Sequence, residues 1–458
     1  MNAIQSPKPI LPKKLWTVGT LTYTTAGILT LFCWLLWGDF VWSIKERAAP
    51  PLMQILFKSH GAPDTLVGFL IGSVPSVIGM ILGPVISYKS DRHRGRWGRR
   101  IPYLFAPTPV AVISMVGLAY CPQIAAVFHA MLGSYSPGLN STILILYSIL
   151  WTLFAGASTI VNAVFGGLIN DVVPESMLGR FFGAFRAISL VAGILFSYWM
   201  MGKIESHSLV IFLGLGLLYG IAFSVMCLKV KEGEYPPPPV AEENALTGVF
   251  GATKTYFLES FGNGYYCWFF VSFALSLMAL VPVNLFNVYF AQSVGMSMDT
   301  FGKLMAVAFL LSLIAAYPLG VLVDRFHPLQ VSLVTLVIYT GVSLWGGFFS
   351  HNSLTLGIVL VPQCFLAGVW LTATASLQQR LFPKNRFAQF SSAAGIVSSL
   401  GCIIISPIMG SILDYTGHTY RHIFLVSSVL SFAALLTGLI VYRRFLLLGG
   451  TTGYKAPE

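Results

Sequence analysis

The sequence predicts an all-α integral membrane protein of about twelve transmembrane helices in two six-helix bundles. Three observations carry that prediction. Of the 458 residues 56% are hydrophobic and only 9% charged, where soluble domains carry about 25% charged residues. Apolar runs of about twenty residues recur along the chain, long enough to cross ~30 Å of hydrocarbon as helices. Cations gather in the segments between alternate runs, the pattern that sets which side of the bilayer each loop occupies.

The strongest of those segments is Lys89 to Tyr103, KSDRHRGRWGRRIPY, with Lys89, Arg92, Arg94, Arg96, Arg99 and Arg100 against one acid, Asp91. Apolar runs from Leu66 to Ser87 and from Ile101 to Tyr120 flank it. Cations resist translocation, so the loop is placed on the cytoplasmic side. With that loop inside, the 27 Lys and Arg sort into 20 cytoplasmic, 6 outer and 1 within a span, Arg186. The net charge of +11 is therefore read as topology. It gives no reason to expect a nucleic-acid partner; the expected partners are the lipid bilayer and a small-molecule substrate. Both termini are expected in the cytoplasm, the membrane to be the plasma (inner) membrane, and the working unit to be a monomer.

In order, the expected first span is Thr22 to Pro50, and the second and third flank the basic loop. A longer outer loop, Pro122 to Ser141, precedes spans at Thr142 to Leu168, Arg180 to Met201 and Leu209 to Leu228. The linker KVKEGEYPPPPVAEEN follows; its prolines, Pro236 to Pro239, cannot be helical and act as a stiff spacer. Leu246 to Phe261 alternates apolar and polar residues and is read as a helix lying on the inner membrane surface. Tyr265, Tyr266 and Trp268 mark the interface at which the seventh span begins. The remaining spans are Phe301 to Val323, Leu329 to Phe349, Thr355 to Leu377, Ala388 to Leu413 and Ile423 to Val441. This divides the chain into a first bundle (1–228), a cytoplasmic linker (229–264) and a second bundle (265–458).

Several classes of chemistry lack their residues. The six cysteines (33, 121, 227, 267, 364, 402) lie mostly in apolar runs without CxxC spacing and read as small core residues. His418 and His422 stand four apart in an outer loop, but no acid or cysteine is expected beside them, so no metal site is assigned. No nucleophile, base or metal cluster is evident within the spans, so no enzyme is expected. A non-transporting sensor usually brings a soluble output domain, and none is visible.

The two halves look like relatives. Gly320-x-x-x-Asp324-Arg325 ends the second span of the second half as Asp91-Arg92 ends that of the first. Arg180-Phe181-Phe182 opens the fifth span and Arg386-Phe387 the eleventh. Such matched landmarks imply a parallel six-plus-six repeat with a substrate site between the halves. At these residues the chain resembles the major facilitator superfamily, whose loop after the second span carries Asp-Arg followed by Gly-Arg-Arg or similar; Asp91-Arg92 with Gly98-Arg99-Arg100 fits. More narrowly, Arg96 to Tyr103, Asn170 to Pro174 and Gly179 to Gly183 resemble the glycoside–pentoside–hexuronide (melibiose-type) symporters and the sucrose transporters near them.

That resemblance implies a sugar carrier working by alternating access, without a cofactor. Melibiose-type members carry carboxylates in the second and fourth spans, where this chain has Gly79, Gly83 and Asn162. Sodium wants carboxylate oxygens, so a proton is the expected coupling ion. A facilitated-diffusion uniporter of the same fold, or a carrier of another small organic solute, is the alternative.

Ionisable groups inside a span are costly, ~2.5–3.5 kcal/mol on insertion scales, and each calls for a reason. Asp39 sits well inside the first span and resembles the sugar-binding carboxylate of melibiose-type carriers; Trp42 and Glu46 share its helical face. Arg186, two turns into the fifth span, could neutralise Asp39, bind a substrate carboxylate, or snorkel to the cytoplasmic face. Asn162, Asn284, Asn287 and Gln363 are polar residues in spans, open to either a sugar hydroxyl or a neighbouring helix. Trp370 resembles the family's tenth-span tryptophan. For gating, Asp91 is expected to accept from the start of the eleventh span near Arg386, and Asp324 from the start of the fifth near Arg180. Arg92, Arg99, Arg100 and Arg325 complete that set, which would hold the inner side shut.

Overall fold

The structure, a computed structural model, describes residues 15–236 and 256–457. Prolines 237–239 and most of the expected surface helix lie outside the described residues; 256–261 are helical. Among the described residues, eleven helical stretches are long and apolar enough to cross a membrane. One of them, Glu175–Lys229, has 55 residues, or ~80 Å of helix at 1.5 Å per residue, far more than one crossing needs. It is broken by a 3₁₀ turn at Met201–Lys203 and by non-helical backbone at His207, and so makes two spans. The described residues thus hold twelve spans.

The first six are α1 (Thr25–Ser59), α2 (Asp64–Arg92), α3 (Ile101–Ala119), α4 (Leu139–Val172), α5 (Glu175–Leu195, continued by a π turn to Met200) and α6 (Ile204–Lys229). The second six are α7 (Gly264–Ser293), α8 (Met298–Phe326), α9 (Pro328–Phe349), α10 (Ser353–Thr374), α11 (Phe387–Tyr415) and α12 (His422–Leu447). A short hairpin, β1 (Trp16–Val18) with β2 (Leu21–Tyr23), precedes α1.

Local sequence explains the ends. Thr24 caps α1 by accepting from the Gly27 N–H, and Ser297 caps α8 through Thr300. Asn352 and Thr355 form a reciprocal capping box at α10. His327, with a positive φ of 67°, accepts at Nδ1 from the Leu329 N–H to start α9. That bond needs a neutral ring, and burial, then the nearby Arg380 charge, holds His327 down at about 4. Prolines lie inside α1, α2, α7, α8, α10 and α11. Neighbouring helices and Ser or Thr hydroxyls re-satisfy the freed backbone groups, which is why membrane helices tolerate them.

Two expected boundaries are corrected. Pro50-Pro51 does not end α1, which continues through Leu52–Phe57 to Ser59. Lys45, Glu46 and Arg47 therefore lie in mid-helix, and two of the six cations assigned to the outer side belong inside the span beside Arg186. The expected outer loop 122–141 is largely helical too, at Cys121–Leu132.

Within the first bundle α1 packs on α5 and α6, α3 on α4 and α6, and α2 on α4; within the second, α7 packs on α11 and α12, α9 on α10 and α12, and α8 on α10. The bundles meet through α2 against α11 and α5 against α8. Both crossings use a π segment on the first-bundle side, Gly68–Ser73 in α2 and Phe196–Met200 in α5. Backbones approach closely there: a methyl on Gly68 would strike the Ser406 carbonyl, and one on Gly302 the Ser197 carbonyl. Of Val74–Arg92, running on toward the basic loop, only Ser90 is buried. In α8 the buried residues are Met298, Phe301, Gly302, Ala306, Ala308 and Val323, five of six in the first eleven positions. The bundles are thus closed at the end away from the basic loop and part toward it.

Candidate functional site: a cavity between the bundles

A cavity of about 350 Å³ lies between the bundles, beneath the closed end. That volume is within the ~300–1,000 Å³ usual for small-molecule sites. Its first-bundle wall is Glu46, Arg47, Pro50, Pro51 and Gln54 of α1 with Arg186 and Leu190 of α5. The second bundle contributes Asn284 and Asn287 of α7, Phe301, Met305, Phe309 and Ser312 of α8, and Cys364, Ala367, Gly368 and Leu371 of α10. A groove of about 670 Å³ beside the basic loop is larger but is formed by the first bundle and the segment after α6 alone.

The structure sorts the eight candidate substrate residues. Arg186, Asn284 and Asn287 face the cavity. Asp39 does not: it is fully buried one and a half to two turns below Glu46, where α1 presses on α6 and a methyl on Gly38 would meet Met226. Its Oδ1 accepts from Ser43 and its Oδ2 has no protein partner. Trp42 lies beside Lys45, with 5.8 Å between Nζ and the ring centre, outside the cavity lining. Asn162 is exposed on α4, also outside the lining. Gln363 is turned into the second bundle, exchanging hydrogen bonds of 2.8 and 3.1 Å with Ser343 of α9. Trp370 is buried there as well, packed on Phe273 at 5.6 Å. On α10 Cys364, Ala367, Gly368 and Leu371 face the cavity, so residues 363 and 370 point away, and the expectation that these five line the substrate site is corrected.

Two of the three charges that line the cavity, Glu46 and Arg47, belong with Lys45 to a triplet that sequence reasoning placed at a helix end. Lys45 is fully buried, 2.7 Å from Ser158 Oγ and 2.8 Å from Glu46 Oε1, with the rings of Tyr219 and Phe154 at 4.6 and 4.8 Å. The Lys45–Glu46 contact is an ion pair by distance but not aligned as a hydrogen bond. Glu46, 32% exposed, opens toward the cavity. Arg47 stacks on Phe309 of the other bundle at 4.6 Å. The signal that could have found this triplet is the apolar run Leu52–Phe57 after the prolines, with no turn residue before His60-Gly61.

At the closed end, Asp414 of α11 accepts from the backbone N–H groups of Asp64 and Thr65, both at 2.8 Å, and from the Thr65 hydroxyl at 2.6 Å. A carboxylate from one bundle thus caps α2 of the other, where the helix dipole favours an anion. Asp64, fully buried, is met by Lys58 at 3.0 Å, His418 at 2.7 Å and Tyr420 at 3.1 Å. The expectation that His418 has no acid beside it is therefore wrong: α2 and α11 bring Asp64 and Asp414 to it. Ligand atoms of the three lie within 4.8 Å of one another. The carboxylate oxygens there already accept from Lys58, Tyr420 and two backbone N–H groups, so the arrangement reads as a latch. Nearby, Tyr289 of α7 donates to the Gln54 carbonyl of α1.

At the basic-loop end no contact of a gating candidate among the described residues crosses from one bundle to the other. Asp91 pairs with Arg100 at 2.8 Å, and Asp171 of α4 takes both Arg99 and Arg100. Glu232 accepts from the N–H groups of Arg99, Arg100 and Ile101 and so caps α3. Tyr235 donates to Glu232 and lies under Arg99 at 4.1 Å. Burial, then the Glu232 and Asp171 charges, hold that phenol above its ordinary range, so it remains a donor. Asp324 pairs with Arg380 at 2.7 Å, Arg92 stacks on Tyr88 and Arg325 on Phe326, while Arg180 and Arg386 are exposed. The expected contacts of Asp91 with the start of α11, and of Asp324 with the start of α5, are not made here. With the bundles parted at this end, the nearer arginines take both acids.

Comparison with known proteins agrees with this architecture. Residues 265–447 match the model of the Major Facilitator Superfamily. A bacterial homologue of the human lysosomal transporter Spinster, in its inward-facing unoccupied conformation, superposes with a TM-score of 0.65 at 14% identity, covering 94% of this chain and 98% of the other. A D-xylose–proton symporter gives 0.66 at 14% identity, covering 91% and 97%. The chain has the fold of a major facilitator transporter. A human membrane-associated transporter protein is 28% identical over 96 residues, 21% of this chain; the match spans only 17% of that relative's length.

Proposed function

We propose that the chain is a secondary transporter that moves a small polyhydroxylated solute, a sugar or glycoside, across the membrane by alternating access, coupled to a proton. The observation that carries this reading is a cavity lined from both bundles, directly beneath a latch that joins them at one end. A rocking motion that broke the latch and closed the basic-loop end would expose the same cavity to the other side. Asn284, Asn287, Gln54 and Ser312 offer donors and acceptors suited to hydroxyl groups. The similar folds of the xylose–proton symporter and the Spinster homologue support transport, and the melibiose-type motifs support a sugar. The positive-inside distribution supports a basic loop and chain ends in the cytoplasm, with the latch outside.

Glu46 is the group to which we assign the proton, because it joins a buried ammonium on one side to the cavity on the other. In proteoliposomes of the purified chain, a labelled sugar should accumulate when an inward proton gradient is imposed. Glu46→Gln should keep sugar counterflow within about threefold of wild type and lose at least tenfold of the gradient-driven accumulation. Accumulation that ignores the gradient in wild type would identify a uniporter. Loss of counterflow together with accumulation would move Glu46 from coupling to binding.

A further inference from the structure

The groove of about 670 Å³ beside the basic loop lies apart from the cavity. Its rim is the turn Gly95-Arg96-Trp97-Gly98, closed by a 3.1 Å bond from the Gly98 N–H to the Gly95 carbonyl. Gly98 has a φ of 97°, and a Cβ there would strike the Glu232 carboxyl, so glycine lets the turn sit against the α3 cap. Arg96 and Trp97 stand side by side at the apex, both exposed. Trp97 lies edge-on to Phe105 of α3, with 5.6 Å between ring centres. An indole placed at the end of a span belongs to the interfacial belt, at headgroup depth.

Three cations line the groove, Arg94, Arg96 and Lys231. Arg94 is fixed without being neutralised. Its Nε donates to the Pro236 carbonyl and its Nη1 to the Asp91 and His93 carbonyls, each at 2.8 Å. The Tyr235 ring lies 5.6 Å away, and Nη2 is left as an unused donor. Arg96 and Lys231 have no hydrogen-bond or ion-pair partner among the described residues. Of the two acids in the lining, Glu232 is turned inward, with both oxygens taken by the start of α3 and by Tyr235. Glu234 is exposed and forms no ion pair with any of the three cations. A guanidinium held by neutral carbonyls and left without a counter-ion is pre-organised for an outside anion, and its fork matches a phosphate.

The bilayer can deliver that anion. Leu217, Ile221 and Leu228 form one exposed apolar face of α6, and Leu228 is itself part of the groove. An acyl chain lying on this face brings its phosphate to the level of Trp97, beside Arg94 and Arg96. We infer that the groove binds one anionic phospholipid from the leaflet on the basic-loop side, its phosphate on Arg94 and Arg96 and a chain along α6. Basic pockets at this depth select anionic headgroups. Phosphatidylcholine offers the same phosphate, but its own cation offsets the attraction. A soluble phosphate ester would meet the same donors without using the apolar face.

The test is native mass spectrometry of the purified full-length chain in neutral detergent, titrated with dioleoyl phosphatidylglycerol or dioleoyl phosphatidylcholine. One phosphatidylglycerol per chain is expected to bind at least ~10-fold more tightly than phosphatidylcholine. Arg94→Gln and Arg96→Gln should each weaken it about fivefold, ~1 kcal/mol. Arg96 bonds to no other described residue, so its variant probes the site without disturbing the fold. Arg443→Gln, which removes an exposed cation near the end of α12 on the same side, should leave the affinity unchanged. Glycerol phosphate, the headgroup without chains, should not displace the lipid even in large excess. Equal affinity for the two lipids in wild type, which needs no variant, overturns the site. A preference that both groove variants retain overturns it as well. A loss in Arg443→Gln equal to that in Arg96→Gln would make net charge the cause and overturn the groove assignment. Displacement by glycerol phosphate would give the groove to a soluble phosphate and remove the lipid.

Discussion

Asp414→Ala should open the latch. The substitution deletes three hydrogen bonds across the bundles, two from backbone N–H groups at the start of α2 and one from Thr65. Hydrogen bonds to a charged acceptor contribute ~1.5–3 kcal/mol each. Asp414 is 27% exposed, so water will replace part of the loss; a net ~2 kcal/mol is the expected cost, about 30-fold in the ratio of closed to open states. Ser406 is a suitable reporter, because it is fully buried where α11 crosses Gly68 and Gly72. With the six native cysteines replaced, Ser406→Cys should react slowly with a membrane-impermeant maleimide. Adding Asp414→Ala should raise that rate at least tenfold, and Asp414→Asn, which keeps one acceptor oxygen, by less. A labelling rate unchanged by either substitution would mean that apolar and backbone packing alone hold this end shut.

Lys45 should give the largest loss of stability. Its ammonium is fully buried, and Glu46 is the carboxylate paired with it. Breaking a buried pair from one side costs ~3–5 kcal/mol, because the remaining charge is left uncompensated; Glu46 is a third exposed, which puts Lys45→Ala near the low end. Lys45→Met with Glu46→Gln removes both charges and keeps the volume, so it should recover most of the melting temperature lost in the alanine variant. It should not recover proton-driven uptake. Should the double variant melt as low as Lys45→Ala, the side chain matters for packing against Phe154 and Tyr219 and the ion pair contributes little.

The fold was legible because bilayer thickness and charge asymmetry write themselves into composition. The run either side of the basic loop, and the repeat of Asp91-Arg92 at Asp324-Arg325, carry most of it. What failed was local. Pro50-Pro51 reads as a stop in isolation, yet the apolar residues after it prolong α1 to Ser59, and three charges move from the surface to mid-membrane. That shift hid Glu46 and Arg47 as cavity residues. Polar side chains in spans were legible as candidates but not as facing one way or the other: Gln363 and Asn287 look alike in sequence, while one bonds Ser343 and the other lines the cavity. Only packing decides that. The latch was illegible for another reason, since Asp64 and Asp414 are 350 residues apart and belong to different bundles.

The bare crossings at Gly68 and Gly302 bear on how such a protein can move. Main chain rests on main chain there, with no room for a plug of side-chain atoms that could swing aside while the helices stay put. Access from that face must then come from whole helices tilting apart, a displacement on the scale of helix diameters. Crosslinks spanning α2 and α11 would arrest it, whereas repacking single side chains nearby would leave it free.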